Sequence, residues 1–144
     1  MHKKDTVNIR FCGIGGQGVL KASEICAFAA LFEGFHVKKS EVHGMAQRGG
    51  SVESHLRFGK EVFSPLIPKG RVDYLVSFYK DERDRLKDFL KPEGLDFIEY
   101  LEKSEKFIKD KRYINIFLLG VLSARLAIKE KNWLMAMEKL LPLK

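Results

Sequence analysis

Two loops in this chain are built from residue types that suit binding chemistry better than they suit packing. The first, Gly13-Ile-Gly-Gly-Gln-Gly18, has GxGxxG spacing at Gly13, Gly15 and Gly18. Between a strand and a helix, such glycines let an anion approach the backbone N–H groups at a helix N-terminus. Gly16 and Gly18 flank Gln17, whose amide offers a donor and an acceptor beside those N–H groups, an arrangement suited to gripping a phosphate or a partner's backbone. The second loop, Ser40-Glu-Val-His-Gly-Met-Ala-Gln-Arg-Gly-Gly50, is longer and more polar than a turn requires. Gly44, Gly49 and Gly50 allow positive φ or close backbone approach, and Arg48, beside Gln47, supplies a fixed fork of donors matched to phosphate or carboxylate. Glu41 and His43 stand two apart, placed to act as an acid–base pair or to orient one another.

Each feature also has a plainer reading. The glycine turn would serve equally as a tight strand-to-helix connection with close helix–sheet packing. Arg48 would serve as an internal salt bridge or a helix C-terminal cap, and Glu41 with His43 as a structural pair. A dinucleotide reading needs an acid at the end of the second strand to hold a ribose. Glu41 is the candidate there, about 28 residues after Gly13 where about 20 is usual. No nucleophile elbow, P-loop lysine, HExxH helix or metal-binding carboxylate set is present, so the chain is expected to lack a complete active site of its own.

The elements that hold these loops follow from hydrophobic periodicity. Val7, Ile9 and Phe11 alternate with Asn8 and Arg10, predicting a strand that ends at Cys12. Ala22, Ile25, Cys26, Ala29 and Phe32 recur at helical spacing from Gly16 to Phe32, with Gly34 placed as the C-terminal cap. Residues 35–40 predict a short strand delivering the chain into the second loop. A third strand follows, with Val52, Ser54, Leu56 and Phe58 on one face and Glu53, His55 and Arg57 on the other. Gly59-Lys60 reads as a turn, Val62–Pro65 as its edge partner, and Pro65 and Pro68 bracket a loop. Val72–Tyr79 predicts a buried parallel strand, and Asp81–Leu90 a charged helix closed by Pro92 and Gly94. Residues 95–100 suit a strand or a helix start equally. Tyr113–Lys129 predicts the most hydrophobic helix, and Trp133–Leu141 a short last one stopped by Pro142. The order implies an α/β fold of three α/β/α layers with a mostly parallel central sheet and a Rossmann-like first βαβ unit, a single domain over residues 1–144.

Composition narrows the chemistry. At 144 residues the chain can bury a core without disulfide or metal staples. Its net charge of +7 is dispersed among acids, as in Lys80–Arg85 and Glu99–Arg112, which argues against nucleic acid and suits a basic surface facing an acidic protein partner. Cys12 and Cys26 form no CxxC pair, so this chain alone is not expected to hold an iron–sulfur cluster or structural zinc. Both read as buried thiols in a reducing cytoplasm. The start carries no apolar signal core, and the longest apolar run, Ile114–Leu122, is interrupted by Asn115 and too short to span a bilayer, so no membrane role is expected.

On GIGGQG at Gly13–Gly18, SEVHGMAQRGGSV at Ser40–Val52, Ser64-Pro65 with Ile67-Pro68, and Asp73, the sequence resembles the gamma-type subunits of the 2-oxoacid:ferredoxin oxidoreductases. The second motif is similar to the indolepyruvate branch, in which this part is the beta subunit. Asn115-Ile-Phe-Leu-Leu-Gly120 resembles the family's N-x-x-x-L-G helix. The resemblance covers about residues 7–90. It implies oxidative decarboxylation of an aryl pyruvate to an aryl-acetyl-CoA, with electrons passed singly through iron–sulfur clusters to ferredoxin. It places thiamine diphosphate, magnesium and the clusters on a larger catalytic partner, makes coenzyme A a co-substrate, and implies a hetero-oligomer whose isolated small chain is inactive and open to a homodimer. The cofactor-side positions it carries over are Gly13–Gly18 and Gly44–Gly50, with Arg48 as the anionic contact. Residues 91–112 are more compressed and charged than the family pattern. That departure leaves an alternative, a stand-alone module that binds a nucleotide or coenzyme A without catalysis.

Overall fold

The computed structural model describes residues 6–43 and 50–141. In chain order its elements are β1 (Val7–Ile14), α1 (Val19–Phe32), β2 (His36–His43), β3 (Ser51–Gly59), β4 (Val72–Ser77), α2 (Lys80–Leu86), β5 (Leu90–Asp96), α3 (Ile98–Phe107), α4 (Ile114–Ser123) and α5 (Glu130–Leu140). The strands form one sheet in the order β2-β3-β1-β4-β5. The α/β class holds, and the sheet is mixed: β1, β2, β4 and β5 run in one direction, as a mostly parallel sheet requires, and β3 alone runs against them. β1 pairs parallel with β4, and β4 with β5, whereas β3 runs antiparallel to both β1 and β2. Chain length explains this, because residues 44–50 are fewer than the dozen or so that a parallel crossover requires. The chain therefore returns beside β2 as an antiparallel neighbour, and β3 fills the place next to β1 that β2 takes in a Rossmann unit.

The main core lies between the sheet and α1, with α4 and α5 completing the layer. Ile9, Phe11, Leu56 and Phe58 project from the strands against Ala22, Ile25, Cys26 and Ala29 of α1, all fully buried, with Leu118, Leu122 and Ala136 behind them. Burying each large side chain contributes roughly 1.5–3 kcal/mol. A short hydrogen bond between Ser23 and Ser54 (2.6 Å) satisfies both buried hydroxyls and fixes α1 on β3. On the opposite face a smaller cluster, Cys12, Ile67, Val72, Leu75 and Leu86, sits under α2. That face is covered by α2 and the segment at residues 60–68 rather than by a full helical layer.

Val62–Pro65 forms no strand. The segment is held by side chains instead: Val62 N–H donates to His36 Nδ1 at 3.1 Å, and Arg57 donates to the carbonyls of Ser64 and Leu66 at 2.9 and 3.0 Å. The charged helix ends at Leu86 and passes through a 3-10 turn at Lys87–Phe89, while Pro92 and Gly94 fall inside β5. An edge strand tolerates both, and a Cβ on Gly94 would stand 2.8 Å from the Val72 carbonyl oxygen. Residues 95–100 turn out to be both elements in succession. β5 ends at Asp96, whose carboxylate accepts from Ile98 N–H at 3.0 Å as α3 begins. The hydrophobic helix closes at Ser123 rather than Lys129. No helix among the described residues is long and apolar enough to cross a membrane.

Candidate functional site

Antiparallel pairing sets Ile14 opposite Ser51, so the end of β1 and the start of β3 lie side by side. The glycine loop leaves from one and the second loop arrives at the other. Gly15 N–H donates to the Gly50 carbonyl at 2.9 Å, joining the two loops directly.

Within the first loop the glycines have separate reasons. A Cβ on Gly13 would lie 2.7 Å from Val19 Cγ2 and 2.9 Å from Phe78 Cβ, so this position permits close packing of β1, α1 and β4. Gly18 has φ +82°, and a Cβ there would meet Asn115 Nδ2 at 2.6 Å. Gly16, at φ +92°, has nothing within 4 Å of an added Cβ and presents bare backbone to an open space. Gln17 is committed to the chain's own frame, its Oε1 accepting from Ile14 N–H at 2.9 Å and its Nε2 donating to the Phe78 carbonyl at 3.0 Å. It thereby ties the loop to the end of β4, and its role is to shape the loop as well as to line it.

Beside the loop is a cleft of about 260 Å³ whose lining includes Gly16, Gln17, Gly18, Phe78 and Asn115 and the charged side chains Lys111, Arg112 and Glu105. Asn115 Oδ1 is shielded from solvent and has no hydrogen-bond partner there, which marks the amide over Gly18 as an incompletely satisfied group. Arg112 is held by Asp110 at 2.7 Å, and that pair keeps the Asp110 carboxyl down at about 2. Backbone N–H groups at the start of α1 together with Lys111 give the cleft an anion-attracting character, with Arg112, whose charge Asp110 partly offsets, beside them.

The exit of the second loop is anchored by an ionic cluster. Ser51 donates to Glu82 at 2.6 Å, and Arg85 reaches Glu82 and Glu53 at 2.7 and 2.6 Å. Arg10 contacts Glu53 at 2.5 Å and stacks its guanidinium 4.5 Å from the Phe89 ring. Burial would raise the Glu53 carboxyl, but the hydrogen bonds from Arg85 and Arg10, with His55 Nε2 close by at 3.7 Å, outweigh it and hold the group well below the usual carboxylate range. Burial, assisted by the nearby Glu82 and Glu53 charges, pushes the Cys12 thiol up to about 12, and burial alone raises Cys26 as well. Both thiols are buried, as their sequence setting predicts, and neither is disposed to ionise as a ligand or nucleophile.

The structure therefore joins Gly13, Gly15, Gly16, Gln17, Gly18 and Gly50 in one region. Glu41 lies on β2, opposite Ser54, and pairs with Lys39. With β3 interposed, β2 is two strand spacings from β1, about 10 Å, which removes the ribose-binding geometry of a dinucleotide fold. The backbone of His43 belongs to β2, opposite Val52. Gly44, Gln47, Arg48 and Gly49 lie outside the described residues. Sequence reasoning missed Phe78, Lys111 and Arg112. Asn115 carried a signal only through its place in the N-x-x-x-L-G fragment.

A protein-family model described as "Pyruvate ferredoxin/flavodoxin oxidoreductase" matches residues 8–102. The chain is 44% identical over 90 residues to indolepyruvate oxidoreductase subunit IorB of Thermococcus kodakarensis, covering 62% of this chain and 45% of that protein. It thus spans about half the length of the curated relatives it matches. Its fold is similar to the gamma subunit of a keto/oxoacid ferredoxin oxidoreductase from Geobacter sulfurreducens, with a TM-score of 0.73 at 23% identity over 94% of this chain and 87% of that one. It is also similar to 2-oxoglutarate:ferredoxin oxidoreductase from Magnetococcus marinus, with a TM-score of 0.77 at 20% identity over 94% of this chain and 27% of the longer one.

Proposed function

Because this chain belongs to the pyruvate ferredoxin/flavodoxin oxidoreductase family, we propose that it is the small, gamma-type part of a 2-oxoacid:ferredoxin oxidoreductase of the indolepyruvate branch. The whole enzyme would oxidatively decarboxylate aryl pyruvates to aryl-acetyl-CoA in the cytoplasm and pass the electrons to ferredoxin. A larger partner would hold thiamine diphosphate, magnesium and the iron–sulfur clusters, in keeping with the buried, un-ionised thiols of this chain.

The observation that carries this reading is the Gly15–Gly50 hydrogen bond, which draws the two motif-bearing loops into one site. Gln17 stiffens that site from within, and Gly16 leaves its backbone accessible. Coenzyme A brings phosphates, and the residues suited to hold them are the backbone at Gly16–Gly18 with Lys111 and Arg112. The chain's contribution is then to bind and orient the co-substrate against the partner's reaction centre, with no proton or electron passing through its own side chains.

The test is co-expression with a thiamine-diphosphate subunit, followed by measurement of coenzyme A-dependent dye reduction by indolepyruvate with and without this chain. Activity that depends on the chain supports the assignment. Failure to co-purify, with coenzyme A or a nucleotide bound by the isolated chain, would turn the reading to a stand-alone binding module.

A further inference from the structure

At the end of the sheet remote from the glycine loops, where β1, β4 and β5 begin, a cavity of about 640 Å³ opens between the strands and the segment after α4. Its charged lining is Arg57, Arg71, Lys91 and Arg125 with the single carboxylate of Asp73. That carboxylate is already engaged, accepting from Asn8 N–H at 2.7 Å and pairing with Lys91 at 2.5 Å.

The arginines divide cleanly. Of the seven in the described residues, Arg10, Arg83, Arg85 and Arg112 each hold a carboxylate. The three that hold none, Arg57, Arg71 and Arg125, all line this cavity. Arg57 is oriented by neutral acceptors only, Asn8 Oδ1 at 2.9 Å and the Ser64 and Leu66 carbonyls, so its position is fixed while its charge is uncancelled. Arg125 donates to the Tyr100 hydroxyl at 2.9 Å. A concave wall of one sign focuses its field and concentrates counter-ions, and guanidinium forks match phosphate and carboxylate geometry. The volume falls within the roughly 300–1,000 Å³ of small-molecule sites, with Tyr74 and Leu126 supplying an apolar wall.

We propose that this cavity binds a small polyanion carrying two or more phosphate or carboxylate groups, at a site separate from the glycine-loop cleft. Concavity favours a small molecule over an extended acidic chain, and the proposal does not depend on the reaction assigned above.

The test is calorimetric titration of the whole chain with inorganic pyrophosphate and, separately, citrate, at low and moderate salt. The expected result is saturable binding of one or both, with the comparison between them identifying phosphate or carboxylate as the preferred group. Affinity should fall at least about tenfold in the double variant Arg71→Gln/Arg125→Gln. Both side chains are exposed and lack carboxylate partners, so an unchanged melting temperature is expected and would separate lost binding from lost fold. The control Lys103→Gln/Lys131→Gln removes the same charge elsewhere and should keep wild-type affinity. Equal loss in the control, full retention in the arginine variant, or no binding of either anion would each overturn the proposal. If no anion binds but the arginine variant captures its partner subunit poorly, these residues belong to an interface with an acidic polypeptide instead.

Discussion

The two faces of the sheet are built on opposite principles. Toward α1, strand residues such as Ile9, Phe11, Leu56 and Phe58 meet helix residues with no polar interruption beyond the Ser23–Ser54 hydrogen bond. Toward α2, the same strands bury Arg10, Glu53 and His55, each less than 10% exposed. The first face needs only shape and burial, and many similar packings would satisfy it. The second needs particular partners at particular distances, because a buried charge left alone is costly. Ser51, Glu53, Glu82 and Arg85 lie where the second loop returns to the sheet, so the demanding face is also the one that fixes loop position. The apolar face accordingly carries stability, and the ionic face carries the register between α2, β3 and the loop.

The largest effect should come from the apolar face. Phe58 is fully buried and stacks with Phe35 at a centroid distance of 5.1 Å. Phe58→Ala should cost about 4 kcal/mol in urea unfolding, a large share of the total for a domain of this size. A loss below about 1 kcal/mol would mean that the helical layer repacks freely, and the distinction between the faces would fail.

Glu53→Gln should cost about 3 kcal/mol at neutral pH, since Arg10 and Arg85 lose their shared carboxylate. The pH dependence has a definite sign. The folded Glu53 group is held below its unfolded value near about 4.3, so its contribution is present above that pH and declines as pH falls toward the folded value. The gap between wild type and Glu53→Gln should therefore narrow steadily below about pH 4. A gap constant down to pH 2 would show that the loss comes from packing and not from charge.

How much of this division was legible in the sequence depended on the range of the interaction. Alternation in Val52–Phe58 told which residues share a face, because side-chain direction in a strand is local. It could not tell that β3 would lie between β1 and β2, since strand order is decided by loop length and by pairing across the whole chain. Gln17 stood out beside its glycines, yet its partner Phe78 is 61 residues away and carries no polar signal, the contact being to a backbone carbonyl. Pro92 and Gly94 read as helix closure because both are breakers, and an edge strand with an irregular register accepts the same pair. The three unpaired arginines were invisible for a similar reason. Arg57, Arg71 and Arg125 come from separate segments, and only the fold makes them neighbours.

The glycine loop provides a smaller-scale version of the same contrast, between a glycine required by packing and one that faces open space. Gly13→Ala should destabilise by about 1–3 kcal/mol, because Val19, Phe78 and the Gln17 amide must all shift to admit the methyl group. Gly16→Ala meets no neighbour, so its cost should be confined to the left-handed backbone, about 1 kcal/mol. If Gly16 instead exposes its backbone to a phosphate, the milder variant should be the more damaging one for coenzyme A in the assembled enzyme, raising the half-saturating concentration several-fold while Gly13→Ala acts mainly on melting temperature. Arg112→Gln should leave the melting temperature unchanged and weaken coenzyme A in the same direction, since its Asp110 pair is at the surface and supports no core. Should Gly13→Ala and Gly16→Ala instead shift melting temperature and coenzyme A dependence in equal proportion, the loop would be a structural connection throughout, and the anion contact would have to be sought elsewhere on this chain.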